Sequence, residues 1–239
     1  MKLHLWRFIL LLALCFVALQ LTFLLRVALM TVVDPQSTTF QRSEAWRLLV
    51  EKQRILWSQQ WLRDERIGDG LKRAVIASED AGFVEHSGIE WDAIEKAWGR
   101  NQRVQARVAA NPKAQAKLVG GSTITQQLAK NLLLSGERTV LRKGQEFLIA
   151  LMLEGLLSKQ RILEIYLNNV EWGEGVFGAQ AAARHYFRTD AARLAPWQAA
   201  QLAVMLPAPK RFEKRPGSAY VTGRAATILA RMGAVELPR

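Results

Sequence analysis

The segment LKRAVIASEDAGFVEHSG occupies residues 71–88 and joins an apolar helical run to a group of polar side chains. Val75 and Ile76 lie one helical turn before Glu79, so this carboxylate continues an apolar face. A carboxylate in such surroundings loses part of its hydration, which raises its pKa toward the range useful for proton transfer near neutrality. The residues alone are equally compatible with an exposed acid at the end of a helix.

The chain beyond about residue 38 shows the same helical periodicity. Apolar residues recur at intervals of three and four, and runs of β-branched residues with alternating polarity are absent. Proline and glycine fall mostly between these apolar segments. The pattern therefore predicts a mostly α domain, with helices near residues 42–62, 68–79, 90–109, 122–134, 140–168, 176–187, 196–205 and 218–232.

The N-terminus carries an apolar run over residues 8–25, in which Gln20 is the one strongly polar side chain. At about 1.5 Å per residue the run, with its flanks, reaches across a hydrocarbon core of roughly 30 Å, which predicts one transmembrane helix. Lys2 and Arg7 precede the run and place the N-terminus in the cytoplasm, although Arg26 beyond it weakens this inference. The alternative is a cleaved signal peptide, which would have a shorter apolar region and a small-residue cleavage site.

The net charge of +12 suggests an anionic partner, and a merely solvated basic surface is the alternative. Nucleic acid, anionic lipid headgroups and a phosphorylated substrate all satisfy it, but the basic residues are not interleaved with exposed aromatic residues, so we expect no nucleic acid. The basic stretch over residues 100–117 is either a solvated loop or a flap that contacts headgroups or substrate phosphates. The single cysteine, Cys15, excludes a disulfide framework and a thiolate metal cluster.

The second polar motif is GGSTITQQLAKN, residues 120–131. Thr123 and Gln126 match a capping box that begins a helix. Gln126 and Lys130 are spaced four apart with Gln127 beside them, and exposed amides and a cation near a helix N-terminus suit sugar hydroxyls and phosphate.

The third motif begins a helix with Arg142 and Lys143, followed by Glu146. Both cations lie three or four residues before the carboxylate and therefore share a helix face with it. Cations in the first turn oppose the helix dipole, and a bound anion would satisfy the dipole and the side chains together. Salt bridges on a surface helix are the alternative.

The series EDAGFVEHSG, GGSTITQQLAKN, RKGQE, KQRILEIYLN and GEGVFGAQAAARHYF, taken in this order, resembles the motifs of glycosyltransferase family 51, the peptidoglycan polymerases. The resemblance spans about residues 68–210. It implies a lysozyme-like helical domain with a smaller membrane-adjacent lobe. SxxK and KTG motifs are absent, as in the monofunctional members, so no transpeptidase activity is expected. The expected division is residues 1–33 as cytoplasmic tip and anchor, 34–67 as membrane-proximal linker and helix, and 68–239 as the glycosyltransferase domain.

The resemblance also implies roles for particular residues. Glu79 matches the general base, and Glu146 matches a second carboxylate that assists departure of the leaving group, with a divalent cation (Mg²⁺ or Mn²⁺) as a conceivable cofactor. No metal-ligating residues are assigned. The residues that match contacts to substrate or leaving group are Ser122, Gln126, Gln127, Lys130, Arg138, Arg142 and Lys143. The residues expected to hold the first motif in shape are Asp80, Phe83 and His86.

The implied reaction is inverting transfer on lipid II that lengthens a glycan strand and releases undecaprenyl diphosphate. The expected partners are lipid II, the growing strand and the plasma membrane, with other cell-wall synthesis or division proteins as further candidates. The expected location is the bacterial inner membrane, single-pass, with the catalytic domain on the periplasmic side. The alternatives are a lysozyme-like or lytic enzyme, which needs no diphosphate site, and a scaffold without chemistry.

Overall fold

The computed structural model describes residues 2–110, 121–137 and 139–238 of the chain. Within these ranges the fold is mostly α, as predicted. The helices are α1 Lys2–Leu29, α2 Thr39–Lys52, α3 Asp69–Glu79, α4 Trp91–Ala110, α5 Ile124–Leu133, α6 Val140–Leu156, α7 Lys159–Asn169, α8 Ala179–Phe187, α9 Pro196–Met205, α10 Pro209–Phe212 and α11 Ala219–Met232. The strands are β1 Ser58–Gln59, β2 Glu171–Gly173 and β3 Val176–Phe177.

The buried apolar residues form one core, to which two groups of helices contribute. Helix α3 packs against α9 and α11, whereas α5 packs against α2, α6 and α7. The largest buried side chains include Trp172, Tyr166 and Phe83, which are all less than 2% exposed. A lysozyme-like helical domain with these layers agrees with the fold expected from the resemblance.

Side-chain caps begin several of these helices. Thr38, Thr123, Thr139 and Ser158 each accept a hydrogen bond from the backbone N–H three residues later. The predicted capping box of Thr123 and Gln126 is confirmed, since both of its hydrogen bonds are present. These caps explain where the four helices begin.

Two predicted helices are too long, because short strands occupy residues at one end of each predicted range. The predicted helix 42–62 ends at Lys52, and β1 pairs in parallel with β3. The predicted helix 176–187 begins only at Ala179, because β3 comes first and Gly178 adopts a φ of 82°. Strands of two or three residues are too short to show alternating polarity, so the periodicity of the sequence cannot predict them.

The predicted helix 140–168 is two helices. Leu157 leaves the helical conformation, and Ser158 accepts a hydrogen bond from the N–H of Arg161 to begin α7. A serine that can cap a new helix competes with continuation of the old one. Both α6 and α7 pack against α5.

Gly175 allows the sheet to close. A Cβ atom at this position would lie 2.0 Å from the carbonyl oxygen of Leu56, and the φ of Gly175 is +73°. The N–H of Ser58 donates to the carbonyl oxygen of Gly175 at 2.8 Å. Only glycine permits so close an approach of the two backbones.

The N-terminal helix is long and apolar enough over His4–Leu29 to cross a membrane. The following stretch, residues 34–67, is packed into the domain: Thr38 and Leu48 are buried, and β1 belongs to the sheet. The predicted division of the chain at residues 34 and 68 stays a prediction.

Candidate active site

Asp80 joins the end of α3 to the beginning of α5. Its Oδ2 accepts a hydrogen bond from the backbone N–H of Ile124 at 2.9 Å, and its Oδ1 lies 2.8 Å from Nε2 of His86. A carboxylate is stabilised at a helix N-terminus by the free N–H groups and the helix dipole. Because Asp80 is fixed there, its neighbour Glu79 is placed beside the first turn of α5.

His86 uses both ring nitrogens inside the protein. Its Nδ1 accepts from the N–H of Gly88 at 3.0 Å, so the ring proton lies on Nε2, which donates to Asp80. The hydroxyl of Thr123 donates to the carbonyl oxygen of Gly88 at 2.6 Å. Phe83 is fully buried beneath the motif. This geometry agrees with a shape-holding role for Asp80, Phe83 and His86.

Glu79 is partly buried and held by two donors. Nε2 of Gln127 lies 2.9 Å from Oε2 of Glu79, and Oγ of Ser78 lies 3.4 Å from Oε1. Burial raises the pKa of Glu79 above its ordinary value of 4.5, while the hydrogen bonds from Gln127 and Ser78 lower it in part. A carboxylate with a raised pKa that stays hydrogen-bonded is suited to accept a proton near neutrality.

Tyr166 sets the orientation of Gln127. The Tyr166 hydroxyl lies 2.9 Å from Oε1 of Gln127, and burial raises its pKa well above the ordinary range, so it remains a donor. Because Oε1 accepts from the phenol, the amide nitrogen of Gln127 faces Glu79. Sequence reasoning missed Tyr166 as a site residue, although it lies in the motif KQRILEIYLN.

A second polar cluster surrounds Glu146, which is 3% exposed. Nη1 of Arg142 lies 2.8 Å from its Oε2, and Nζ of Lys143 forms an ion pair with its Oε1. Nζ of Lys143 also lies 3.4 Å from Oγ of Ser122. Nε of Arg142 is buried without a hydrogen-bond partner in the described part of the chain. The cluster holds two cations against one carboxylate, and one buried donor is unsatisfied.

These residues line a cavity of about 420 Å³. Ser122, Gln127, Lys130, Arg142, Lys143 and Glu146 were predicted from the sequence, and Phe40, Asn131, Leu134, Ser135, Gly136 and Glu137 were not. Phe40 comes from α2, which is tied to α5 where Thr39 donates to the carbonyl oxygen of Leu132 at 3.1 Å. Gln127 both lines the cavity and donates to Glu79, and it therefore connects the two carboxylate sites.

The expectation of an exposed amide at Gln126 is wrong. Gln126 is 1% exposed, and its Oε1 accepts the N–H of Thr123 in the capping box. The capping geometry turns the side chain inward, away from the cavity. Arg138 lies outside the described residues, as do residues 111–120 of the basic stretch. Residues 100–110 of that stretch continue α4.

The polar groups do not fit a divalent cation in this arrangement. Each oxygen of Glu146 already contacts a cation, and a metal ion beside Arg142 and Lys143 would be repelled. Asp80, His86 and Glu90 bring ligand atoms within 4.8 Å of one another, but both ring nitrogens of His86 are engaged within the protein.

Comparison with known proteins identifies the family of this chain. The profile of the transglycosylase family matches residues 50–233. A protein of Burkholderia pseudomallei named biosynthetic peptidoglycan transglycosylase is 52% identical over 221 residues, covering 92% of this chain and 82% of that protein. A protein of the same name from Paraburkholderia phytofirmans is 50% identical over 227 residues, covering 95% of this chain and 90% of that protein. The chain belongs to the transglycosylase family and is a glycosyltransferase.

Proposed function

We propose that this protein polymerises lipid II into peptidoglycan glycan strands by inverting transfer and releases undecaprenyl diphosphate. The observation that carries the proposal is the pairing of Glu79, a carboxylate with a raised pKa, with a cation-lined cavity reached through Gln127. The names of the similar Burkholderia and Paraburkholderia proteins support a peptidoglycan substrate.

Glu79 is the proposed general base. It accepts the proton of the 4-hydroxyl group on the acceptor's GlcNAc, and the resulting oxygen attacks the anomeric carbon of the donor strand. The new glycosidic bond forms as the bond from that carbon to the diphosphate oxygen breaks, so the configuration changes from α to β. The proton remains on Glu79, where burial favours the neutral form.

The cluster around Glu146 is the proposed site for the leaving diphosphate. Arg142, Lys143 and Lys130 line the cavity, and preorganised cations stabilise charge that develops on a leaving group. The unsatisfied Nε of Arg142 provides a donor for a phosphate oxygen. Glu146 holds two of these cations in place through its ion pairs. Arg138 is proposed as a further member of the set, from the resemblance.

The proposed location is the bacterial inner membrane, with α1 as a single-pass anchor and the catalytic domain on the periplasmic side. Trp91 and Trp98 on α4 are each 68% exposed, which suits a headgroup region. Lipid II, the growing strand and the plasma membrane are the proposed partners. Contacts with other cell-wall synthesis or division proteins stay a prediction.

The test is to supply purified full-length protein in lipid vesicles with lipid II and, separately, with finished peptidoglycan. Glycan strands should form from lipid II, and finished peptidoglycan should stay intact. Glu79→Gln should lower the polymerisation rate by about 100-fold or more, the usual contribution of a general base. Cleavage of finished peptidoglycan without polymerisation would overturn the proposal in favour of a lytic enzyme.

The matched control is Glu85→Gln. Glu85 belongs to the same motif, but it is exposed and is not among the groups that shift the pKa of Glu79. Its replacement should leave the rate unchanged. An equal loss of rate in both variants would show that Glu79 acts only through the motif's overall charge or stability.

A further inference from the structure

Gln20 and Gln145 form a reciprocal hydrogen-bonded pair between α1 and α6. Nε2 of Gln20 lies 2.8 Å from Oε1 of Gln145, and Nε2 of Gln145 lies 2.9 Å from Oε1 of Gln20. Gln20 is the one strongly polar side chain in the apolar run of the anchor. A side-chain amide in hydrocarbon is costly unless it is hydrogen-bonded, so the pairing favours one fixed contact between these helices.

The contact continues along one face of the anchor. Phe23, Val27 and Met30 follow Gln20 at intervals of three or four residues and pack into the core of the domain. Nε of Arg161, at the start of α7, donates to the carbonyl oxygen of Met30 at 2.9 Å. Residues 4–19 are exposed on every side. From Gln20 onward, therefore, the anchor is a packed part of the catalytic domain.

The pair lies below the membrane surface expected from the anchor's own sequence. Arg26 is exposed, and a cationic side chain in this position keeps its charge at the interface. Gln20 comes six residues earlier, which at 1.5 Å per residue is about 9 Å deeper. Val140 and Leu141, in the first turn of α6, are 89% and 88% exposed, and adjacent exposed apolar side chains suit a surface in contact with lipid.

The same turns of α6 carry the charged groups of the cavity. Gln145 lies between Lys143 and Glu146 in the chain. Gln145 contacts α1, whereas Lys143 and Glu146 line the cavity. Rotation or withdrawal of α6 would break the amide pair and displace Arg142 and Lys143 at the same time.

We infer that the Gln20–Gln145 pair makes the anchor helix a positioning element of the active site, holding the cations of α6 against the membrane that presents the lipid-linked diphosphate. The inference rests on the proposed function, since it presumes a lipid-linked diphosphate donor. In this role Gln20 and Gln145 act through Arg142 and Lys143 and do not touch the reacting atoms.

The test uses the full chain in lipid vesicles, with initial rates measured over a range of lipid II concentrations. Gln20→Ala and Gln145→Leu should each raise the KM for lipid II about 3- to 10-fold, the effect of losing a hydrogen-bonded contact between two helices at the membrane. The acid limb of the rate–pH profile should not move, because Glu79 is untouched. The KM of the double variant should not exceed the higher of the two single-variant values, since both substitutions remove the same contact.

Thr22→Val is the matched control, because among the described residues the Thr22 hydroxyl bonds to the carbonyl oxygen of Ala18 in its own helix, at 2.8 Å. Its KM should equal that of the wild type. The inference is overturned if either single variant keeps the wild-type KM, or if the losses of the two variants add. Thermal midpoints identify any variant that fails to fold, in which case the more conservative Gln20→Asn replaces it. A wild-type protein that does not consume lipid II would defeat the proposed function instead.

Discussion

Nε2 of Gln127 lies 2.9 Å from Oε2 of Glu79, and this amide is the direct link between the proposed base and the cation-lined cavity. The hydroxyl of Tyr166 holds the other end of the same amide at 2.9 Å. A buried phenol, an amide and a carboxylate thus form a chain in which each member fixes the next. Such networks contribute more than their separate pairs when every member is satisfied.

Tyr166→Phe should slow polymerisation without removing any group that touches substrate. Loss of the hydroxyl leaves Oε1 of Gln127 without its donor, and the amide can then turn away from Glu79. The expected loss is about 3- to 10-fold in kcat, the range for one neutral hydrogen bond. Initial rates on lipid II at saturating concentration measure it.

Tyr186→Phe provides the control for that loss. The hydroxyl of Tyr186 donates to the carbonyl oxygen of Trp172 at 2.8 Å, so this variant also loses one phenolic hydrogen bond, but at a distance from Glu79. The thermal midpoint of Tyr186→Phe should fall by about as much as that of Tyr166→Phe, but its polymerisation rate should stay unchanged. Equal rates in the two variants would rule out an orienting role for Tyr166.

Glu79→Gln should stabilise the protein near neutral pH although it removes most of the activity. The pKa of Glu79 is raised in the folded protein above 4.5, so the folded state binds its proton more tightly than the unfolded chain does. Ionised Glu79 therefore lowers stability, and the loss appears as the pH rises through the raised pKa. The thermal midpoint of the variant should exceed that of the wild type at pH 8, with a gap that closes near pH 4. A constant gap at all pH values would contradict this account.

Glu171 should make stability fall as the pH rises toward neutrality. It is 6% exposed, and burial raises its pKa from 4.5 to about 7, although Lys210 opposes the shift. Glu44 and Glu213 face the same group and raise its pKa further. Between pH 4.5 and about pH 7 the folded state holds a proton on Glu171 that the unfolded chain has lost. The stability contributed by this proton is therefore complete below pH 4.5 and is lost as the pH rises through about 7.

Glu171→Gln should remove this pH dependence. The difference between the ordinary pKa of 4.5 and the raised pKa of about 7 sets an upper limit of roughly 3 kcal/mol on the gain in stability of the variant over the wild type at pH 8. Thermal midpoints between pH 4.5 and 8 measure it. Glu174→Gln is the control, because the hydrogen bond from Arg47 lowers the pKa of Glu174 and the sign is reversed. If both variants respond alike to pH, burial of Glu171 is not the cause.

Local spacing in the sequence indicated which side chains are neighbours, but it did not give their tertiary arrangement. Glu146 with Arg142 and Lys143 could be recognised because helical spacing of three and four brings side chains together without help from the rest of the fold. The capping box at Thr123 is equally local. The inward turn of Gln126 was missed, because one amide cannot both close the cap and face a cavity, and the spacing does not say which it does.

Local periodicity and composition determined the helical class, the apolar N-terminal helix and the charged face of α6, because each depends on neighbours within a few residues. The tertiary structure alone decided the docking of Asp80 on the N-terminus of α5, the strands β1 to β3 and the pair of Gln20 with Gln145. Residues far apart in the chain make these contacts, and their partners are selected by the packing of whole helices, which no local pattern records.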